Sequence, residues 1–337
     1  MISSIRKRYK NIMNVQKFLK ELGSHFLNLT KSGCNYGPQG KMLLKNLEDH
    51  WFLHCVTMPP YNIFLSDEIE KTLNLVNKNA MSNIPFGFAL IENTKNSWNE
   101  NILPPTCKVS YHRTAKVVTI SDISGTKDLF LKIQKERKVW WRKLAQYPSR
   151  FKLTEAKRLK NFNIVEVEAQ FPFGNIIVET VSYHTDARKL ISQADNKKDL
   201  ETAQIVQHIT SLDWGCLALL CDAQKGNKLN NEIHIHTKLA PYKVAFCVTK
   251  SENETNTDKD KLNRFVLYLN NILRTKGLDT ILTSSEQVIN MCLVPFVIVV
   301  CRTSLENGIV HIKNQSTTLN EAVHITDLVK YITMHCQ

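Results

Sequence analysis

The sequence lacks a long apolar run, a paired cysteine motif and an apolar secretory leader. Its longest apolar stretch, "MCLVPFVIVVC" at 291–301, is far shorter than the roughly 20 residues that cross a bilayer, so no membrane span is expected. The nine cysteines form no CxxC pair and no zinc-like spacing, which predicts reduced thiols lying mostly in the core. His234 and His236 alternate along a strand without a suitably spaced third ligand, so neither a metal site nor a cofactor is expected.

Acidic residues are missing from the first 20 positions. This stretch holds six Lys or Arg and no acid before Glu21. Apolar residues at helical spacing accompany the positive charge, as in transit peptides: Ile2, Ile5, Ile12, Val15, Phe18 and Leu19. Residues 1–20 are therefore predicted to be a mitochondrial targeting segment, which places the mature protein in the matrix. The alternative is a basic arm of the mature protein.

Acids are also scarce between Lys127 and Lys160, where twelve basic residues accompany three acidic ones. Most of this charge falls on one predicted helix, "KDLFLKIQKERKVWWRKLAQ". Its outward face is expected to carry six cations that could bind nucleic-acid phosphates without reading sequence: Lys132, Lys135, Arg137, Lys138, Arg142 and Lys143. The alternative is a solvated helix whose charge only aids solubility.

The 337 residues are enough for two domains. Up to residue 235, strand patterns surround the basic helix, which predicts an α+β sheet domain that closes with a helix at "DLETAQIVQHI" (199–209). A short polar segment at 59–82 carries a helical stripe of Ile69, Leu73 and Val76. From residue 236 to 337, alternating strands and helices predict a compact α/β domain.

Several separate motifs carry a resemblance to known proteins. "SGCNYGPQGKMLLKNLEDHW", "IPFGFALIE", "FPFGNIIVET" and "KLAPYKVAFCV" together resemble class II aminoacyl-tRNA synthetases of the glycyl type. "VWWRKLAQYPS" and "TSLENGIVHIKNQSTTLNEAVHITDLVKYI" are closer to a family derived from them, the accessory subunits of mitochondrial DNA polymerase gamma. The resemblance implies a class II synthetase-like domain at 21–235, with a mixed or antiparallel sheet, followed by an anticodon-binding-like domain at 236–337.

Some side chains that adenylation requires are replaced in this sequence, at the positions that the resemblance implies. A synthetase needs an arginine on the ATP α-phosphate and another on the adenine, and the matching positions are Asn96 and Leu217. No arginine lies between residues 84 and 102 or between 192 and 263. Of two pocket glutamates, Glu179 is retained and Ile177 replaces the other. The pocket is thus expected to be degenerate and the protein not to be an enzyme; Glu179 is interpreted as a buried carboxylate that bonds backbone amides, with ligand contact as the alternative.

The resemblance implies a processivity factor that binds the polymerase's catalytic subunit and strengthens its hold on primer-template DNA. Its partner contact is expected in the C-terminal domain, on the surface near "TSLENGIVHI", with the edge "KLAPYKV" nearby. The residues expected there are Thr303, Leu305, Glu306, Asn307 and Gly308, and Gly308 is expected to follow a strand-connecting turn with a positive φ. Because vertebrate members dimerise through a longer insertion than 59–82, no homodimer is expected. The rival hypothesis is a mitochondrial glycyl-type synthetase or a tRNA-binding relative.

Overall fold

The fold was analysed in a computed structural model that describes residues 15–78, 84–100, 102–103, 109–159, 162–185, 203–224, 233–249 and 256–336. The chain divides into two units. Unit 1 comprises the residues up to Gly37 and Leu47–Cys221, and unit 2 comprises Pro38–Asn46 and the residues from Asp222 on. No helix in these ranges is long and apolar enough to cross a membrane.

Unit 1 is built on a mixed sheet with the strand order β3-β4-β5-β10-β9-β8-β6, in which β7 also pairs with β8. Its strands are β3 (Ile63–Leu65), β4 (Phe86–Lys95), β5 (Tyr111–Ser121), β6 (Phe151–Leu153), β7 (Lys157–Leu159), β8 (Phe162–Phe171), β9 (Gly174–His184) and β10 (Gln204–Ser211). Among the pairings of the described residues, that of β3 with β4 is the parallel one in this sheet and the others are antiparallel. A separate hairpin joins β1 (Leu27–Thr30) to β2 (Gly33–Tyr36).

The helices of unit 1 bury the apolar stripes that the sequence shows. These helices are α1 (Val15–Leu22), the second half of α2 (Pro38–Phe52), α3 (Ile69–Lys78), α4 (Ile123–Leu144) and α5 (Leu212–Asp222), which ends one residue beyond the unit. A π-helical turn, Leu53–Thr57, continues α2, and a 3₁₀ turn, Pro148–Arg150, follows α4. Within α3, Leu73 and Val76 are buried and Ile69 packs against the same cluster, which confirms the predicted stripe.

The predicted helix at 199–209 is wrong for its described part, because residues from Gln204 on form the strand β10 between β5 and β9. A central strand buries residues on both faces, so its apolar pattern does not alternate simply. Here Ile205, Val206 and Ile209 happen to fall at spacings that also suit one face of a helix. Residues 199–202 lie outside the described ranges.

Helix α1 begins within the predicted targeting segment. Its apolar side chains Val15, Phe18, Leu19 and Leu22 are buried in unit 1. The rest of the predicted stripe, at positions 2, 5 and 12, lies outside the described residues. The boundary at residue 20 therefore stays a prediction, and α1 crosses it.

Unit 2 contains a sheet with the order β12-β11-β13-β14-β15. Its strands are β11 (Val244–Val248), β12 (Thr280–Ile281), β13 (Phe296–Val300), β14 (Ile309–Asn314) and β15 (Asn320–His324), and its helices after α5 are α6 (Asn256–Thr275), α7 (Glu286–Met291), α8 (Arg302–Asn307) and α9 (Ile325–Cys336). The pairings of β11 are parallel and those of β14 are antiparallel. The alternation of strands and helices confirms an α/β arrangement for this region.

The division into units differs from the predicted boundary at residue 236. Asn46, in the first half of α2, donates from its amide to the carbonyl oxygens of Leu239 (3.3 Å) and Ala240 (3.0 Å), so residues 38–46 group with unit 2. The observed architecture is mixed α+β, as predicted, while its class II synthetase-like character stays a prediction.

Candidate nucleic-acid interface

Helix α4 lies against β6, β8, β9 and β10 of the unit 1 sheet. It begins at the N-cap Asp122, whose carboxylate accepts a hydrogen bond from the Gly125 backbone amide at 3.0 Å. Its buried apolar residues are Phe130, Ile133, Trp140, Trp141 and Leu144. The sheet therefore fixes which side of α4 faces solvent.

A buried carboxylate holds α4 to the sheet. Glu179 of β9 has no exposed surface, and it accepts hydrogen bonds from Arg137 Nε at 2.6 Å and Trp141 Nε1 at 2.7 Å. His208 Nδ1 of β10 lies 3.1 Å from the same carboxylate. The structural interpretation of Glu179 thus fits its surroundings, but its partners are side chains rather than the expected backbone amides.

The electrostatics of this cluster favour an ionised Glu179. Burial raises the pKa of its carboxyl, but the Arg137 charge and the hydrogen bonds from His208 and Arg137 outweigh burial and lower that pKa to about 2. Burial also lowers the pKa of His208, which favours a neutral imidazole that donates from Nδ1 to Glu179. The cluster is therefore an ion pair of Arg137 and Glu179 supported by two neutral donors.

The two positions that match the family's pocket glutamates face opposite sides of the sheet. Glu179 lies opposite Val167 and Ile177 lies opposite Glu168, with a β-bulge between the pairs. Val167 and Glu168 are neighbours on β8 and project to opposite faces, so their partners Glu179 and Ile177 also do, although those two lie two residues apart. Ile177 therefore points away from α4. Its backbone amide and carbonyl bond the side chain of Asn99 at 2.7 and 2.9 Å. Glu179 and Ile177 therefore do not line one pocket.

The positions that match the ATP-binding arginines are occupied by packing residues. Asn96 is buried and donates from Nδ2 to the Val109 carbonyl at 2.9 Å, while its Oδ1 accepts from Trp214 Nε1 at 3.1 Å. Leu217 is fully buried in α5. Among the side chains that the structure describes, no group of three or more His, Cys, Asp or Glu could hold a metal ion.

Five of the six cations predicted for the outward face of α4 reach the surface. Lys132, Lys135 and Lys143 are exposed, and Lys138 and Arg142 are half-buried. Arg142 donates from Nε to the Phe151 carbonyl at 2.9 Å, so part of its hydrogen-bonding capacity serves the fold. Of the six predicted cations, Lys132, Lys135 and Lys143 are therefore the most exposed, although Lys132 also forms an ion pair with Glu136 at 3.8 Å.

The expectation that Arg137 faces outward is wrong. Its side chain is 6% exposed, and its planar group lies over the Trp140 ring at 4.1 Å. At 3.6 residues per turn, Lys132, Lys135 and Lys143 lie about 120–160° around the helix from Arg137. The same rotation that points Arg137 at Glu179 therefore turns these three lysines towards solvent.

Further cations follow α4 along the edge of the sheet. Lys152 of β6 and Lys157 and Arg158 of β7 are exposed, beside the strand β8. Lys157 forms an ion pair with Glu166 at 3.0 Å. Arg150 lies over the Tyr147 ring at 4.6 Å. Lys160, which belongs to the same predicted patch, lies outside the described residues.

The predicted partner-binding surface lies in unit 2, on helix α8 and the residue that ends it. Thr303, Glu306 and Asn307 are exposed at helix α8, and Leu305 and Gly308 are half-buried. Gly308 ends the helix with φ +70°, which confirms the predicted positive φ. A Cβ at this position would lie 2.8 Å from Nε2 of His324, an exposed side chain that can shift, so the positive φ is the main reason for glycine here.

Sequence reasoning missed the buried role of Arg137 and the bond between Asn99 and Ile177. A signal for Arg137 was present, because it falls four residues after Ile133 and four before Trp141, within the apolar stripe of α4. No local pattern marks Asn99, whose partner is 78 residues away along the chain.

The fold and this surface define a mixed α+β protein with a lysine-rich helix on one side of its larger sheet. Comparison with known proteins adds relatives, although no family model matches the chain. The chain is 26% identical over 231 residues to "DNA polymerase subunit gamma-2, mitochondrial" of Drosophila melanogaster, covering 60% of this chain and 61% of that protein. It is 26% identical over 309 residues to the protein of the same name from Xenopus laevis, covering 79% and 62%.

A mouse relative, "DNA polymerase subunit gamma-2", is 27% identical over 229 residues, covering 59% of this chain and 49% of that protein. These similarities confirm the resemblance to polymerase gamma subunits that the motifs predicted. The chain spans about half to three fifths of the length of these curated relatives.

Proposed function

We propose that this protein is a non-catalytic accessory subunit of a mitochondrial DNA polymerase, acting in the mitochondrial matrix. The observation that carries the proposal is the similarity to DNA polymerase subunit gamma-2 proteins, which extends over 79% of this chain in the Xenopus laevis comparison. Two of the relatives are named as mitochondrial. The accessory role is to bind the catalytic subunit and slow its departure from primer-template DNA.

The exposed lysines of α4 support a direct contact with the DNA backbone. Lysine neutralises phosphate without reading bases, which suits a protein that must move along any sequence. Each neutralised phosphate adds about 0.9 to the slope of log affinity against log salt. Lys132, Lys135 and Lys143 would together account for a slope of about 2.7.

The packing roles of Asn96, Glu179 and Leu217 support the absence of adenylation activity. An ATP site needs cationic groups at the developing phosphate charge, and none of these side chains is a cation. Glu179 is already occupied by Arg137 and Trp141. The protein thus acts by binding rather than by catalysis.

Our proposed contact for the catalytic subunit is helix α8 with its C-cap, which comprises Thr303, Leu305, Glu306, Asn307 and Gly308. The exposed side chains of Thr303, Glu306 and Asn307 support that assignment. We further propose that the protein is a monomer that forms a one-to-one complex. The part of the 59–82 segment that the structure describes packs onto its own unit through Leu73 and Val76. A dimeric mass in light scattering that does not change with concentration would contradict the monomer.

The test is primer extension by the purified cognate catalytic subunit on a long single-stranded template, with and without this protein, across a salt series. The variant carries Lys132→Gln, Lys135→Gln and Lys143→Gln. Its matched control carries the same change at three exposed lysines of unit 2, Lys259, Lys261 and Lys276. Both triple variants lose three positive charges, so a difference between them reports position rather than net charge.

We expect the native protein to lengthen the products made per binding event. The α4 variant should lose this effect at lower salt than the control does, and its salt slope for DNA binding should fall by up to about 2.7. Unchanged product length with the native protein would overturn the accessory role. ATP–pyrophosphate exchange with glycine, which we expect to be absent, would favour a synthetase instead.

A further inference from the structure

Unit 1 contains a pocket of about 290 Å³ on the α4 side of its sheet. One wall is α4, and the other is the π-helical turn with Pro59, Pro60 and Tyr61. Val117 of β5 and His208 of β10, which are paired on neighbouring strands, also line the pocket. None of the four positions of the pocket that the synthetase resemblance implies, Asn96, Ile177, Glu179 and Leu217, is in this lining.

Two buried donors of the pocket lining lack acceptors. Arg137 and Trp140 are 5% and 4% exposed, and Arg137 Nη2 and Trp140 Nε1 have no hydrogen-bond partner among the residues described. Guanidinium and indole nitrogens can only donate hydrogen bonds. Both atoms are covered by protein, so they add positive partial charge behind the pocket wall rather than direct contacts with an occupant.

The charge of the lining also favours an anion. Lys132 and Lys143 reach the pocket from α4, and Glu136 is the acidic residue in its lining. Glu136 lies 3.8 Å from Lys132, while Lys143 adds a further positive charge. The rest of the wall is largely apolar, with Met58, Leu129 and Val139 beside the two prolines. A ligand with an anionic end and an apolar body would match both parts.

We propose that this pocket binds a small organic anion, in which a carboxylate or phosphate group is attached to an apolar body about the size of one aromatic ring. The anionic group would pair with Lys132 and Lys143, the exposed cations of the lining, because Arg137 Nη2 and Trp140 Nε1 are themselves covered by protein atoms. The apolar body would replace water against the proline and aliphatic wall. The volume of about 290 Å³, near the lower end for ligand pockets, has room for an anionic group with such an apolar body.

The test is a calorimetric titration of the full chain, without DNA, with benzoate and with phenyl phosphate. Benzyl alcohol and benzylamine serve as neutral and cationic probes of similar size. The variant carries Lys132→Gln and Lys143→Gln. Lys135→Gln is the matched control, because Lys135 is exposed on the same helix and does not line the pocket. Arg137 is left intact because it holds α4 to the sheet.

We expect at least one of the two anions to bind, with benzoate and phenyl phosphate distinguishing a carboxylate from a phosphate site. The double variant should weaken that binding about five-fold or more, and Lys135→Gln less than two-fold. Failure of both anions to bind at millimolar concentration would overturn the proposal. Equal binding of benzyl alcohol, or an equal loss in Lys135→Gln, would overturn it as well. Because no DNA or polymerase is present, none of these results depends on the proposed function.

Discussion

Replacing Arg137 with Met should destabilise unit 1 strongly, because it removes the cation that pairs with the buried Glu179 carboxylate. Breaking one side of a buried ion pair typically costs about 3–5 kcal/mol. Glu179→Gln should cost a similar amount, since it leaves the Arg137 cation buried without its counter-ion. The double variant should lose much less than the sum of the two, because no unpaired charge remains.

The pKa of Glu179 sets the pH range over which this stabilisation is present. Burial raises this pKa, but the Arg137 charge and the hydrogen bonds from His208 and Arg137 outweigh burial and lower it from the ordinary 4.5 to about 2. The folded state therefore favours the ionised carboxylate, and protonation of Glu179 removes that advantage. Because the folded-state pKa is depressed, this stabilisation is complete above pH 4.5 and is lost as the pH falls towards 2.

Urea unfolding followed by tryptophan fluorescence measures this effect in unit 1 alone, because all five tryptophans lie within residues 47–221. The free-energy difference between the native protein and Glu179→Gln should be constant above about pH 5 and should shrink below it. Lys135→Gln is the control, since it alters an exposed cation of the same helix. A pH-independent difference, or additive effects in the double variant, would refute the ion-pair argument.

Three further substitutions test the fold, each against a matched control. Gly308→Ala should lower the free energy of unfolding more than Gly277→Ala does. Both glycines have a positive φ, whose strain alone is worth about 1–2 kcal/mol, but only a Cβ at 308 lies within 4 Å of His324. Thermal unfolding measures the difference. Leu73→Ala should cost about 2–5 kcal/mol and Leu75→Ala less than 1, since Leu73 is buried and Leu75 is 60% exposed; equal costs in urea unfolding would contradict the packing of α3. Phe18→Ala should cost about 3–5 kcal/mol if α1 is part of the folded unit, whereas Lys17→Ala should change little, and tryptophan fluorescence during urea unfolding would compare them.

The sequence predicted those elements whose local patterns agree with their burial. The strand patterns after the basic helix are observed as β8 and β9, and the helix predicted at 127–146 is observed as α4, from Ile123 to Leu144. Gly308 was predictable because few other residues accept its backbone conformation. In each case neighbouring residues are sufficient to specify the structure.

Tertiary contacts decided the parts that the sequence did not predict. The helix predicted at 199–209 fails because β10 lies between two strands, so burial on both faces hides the alternation of its residues. Arg137 was assigned to the surface because charged residues are usually exposed, but Glu179, 42 residues later in the chain, provides the partner that allows its burial. Such a pairing depends on the register of β9 beneath α4, which local sequence does not reveal.

The buried ion pair also bears on the proposed function. The buried apolar stripe of α4 and the hydrogen bonds from Arg137 and Trp141 to Glu179 together fix one rotation of the helix about its axis. That rotation turns Lys132, Lys135 and Lys143 outward along one side of the sheet. If these lysines contact DNA, a substitution that breaks the ion pair should also weaken DNA binding, even though the lysines themselves are not substituted. A buried cation therefore acts as a positioning residue for the exposed ones.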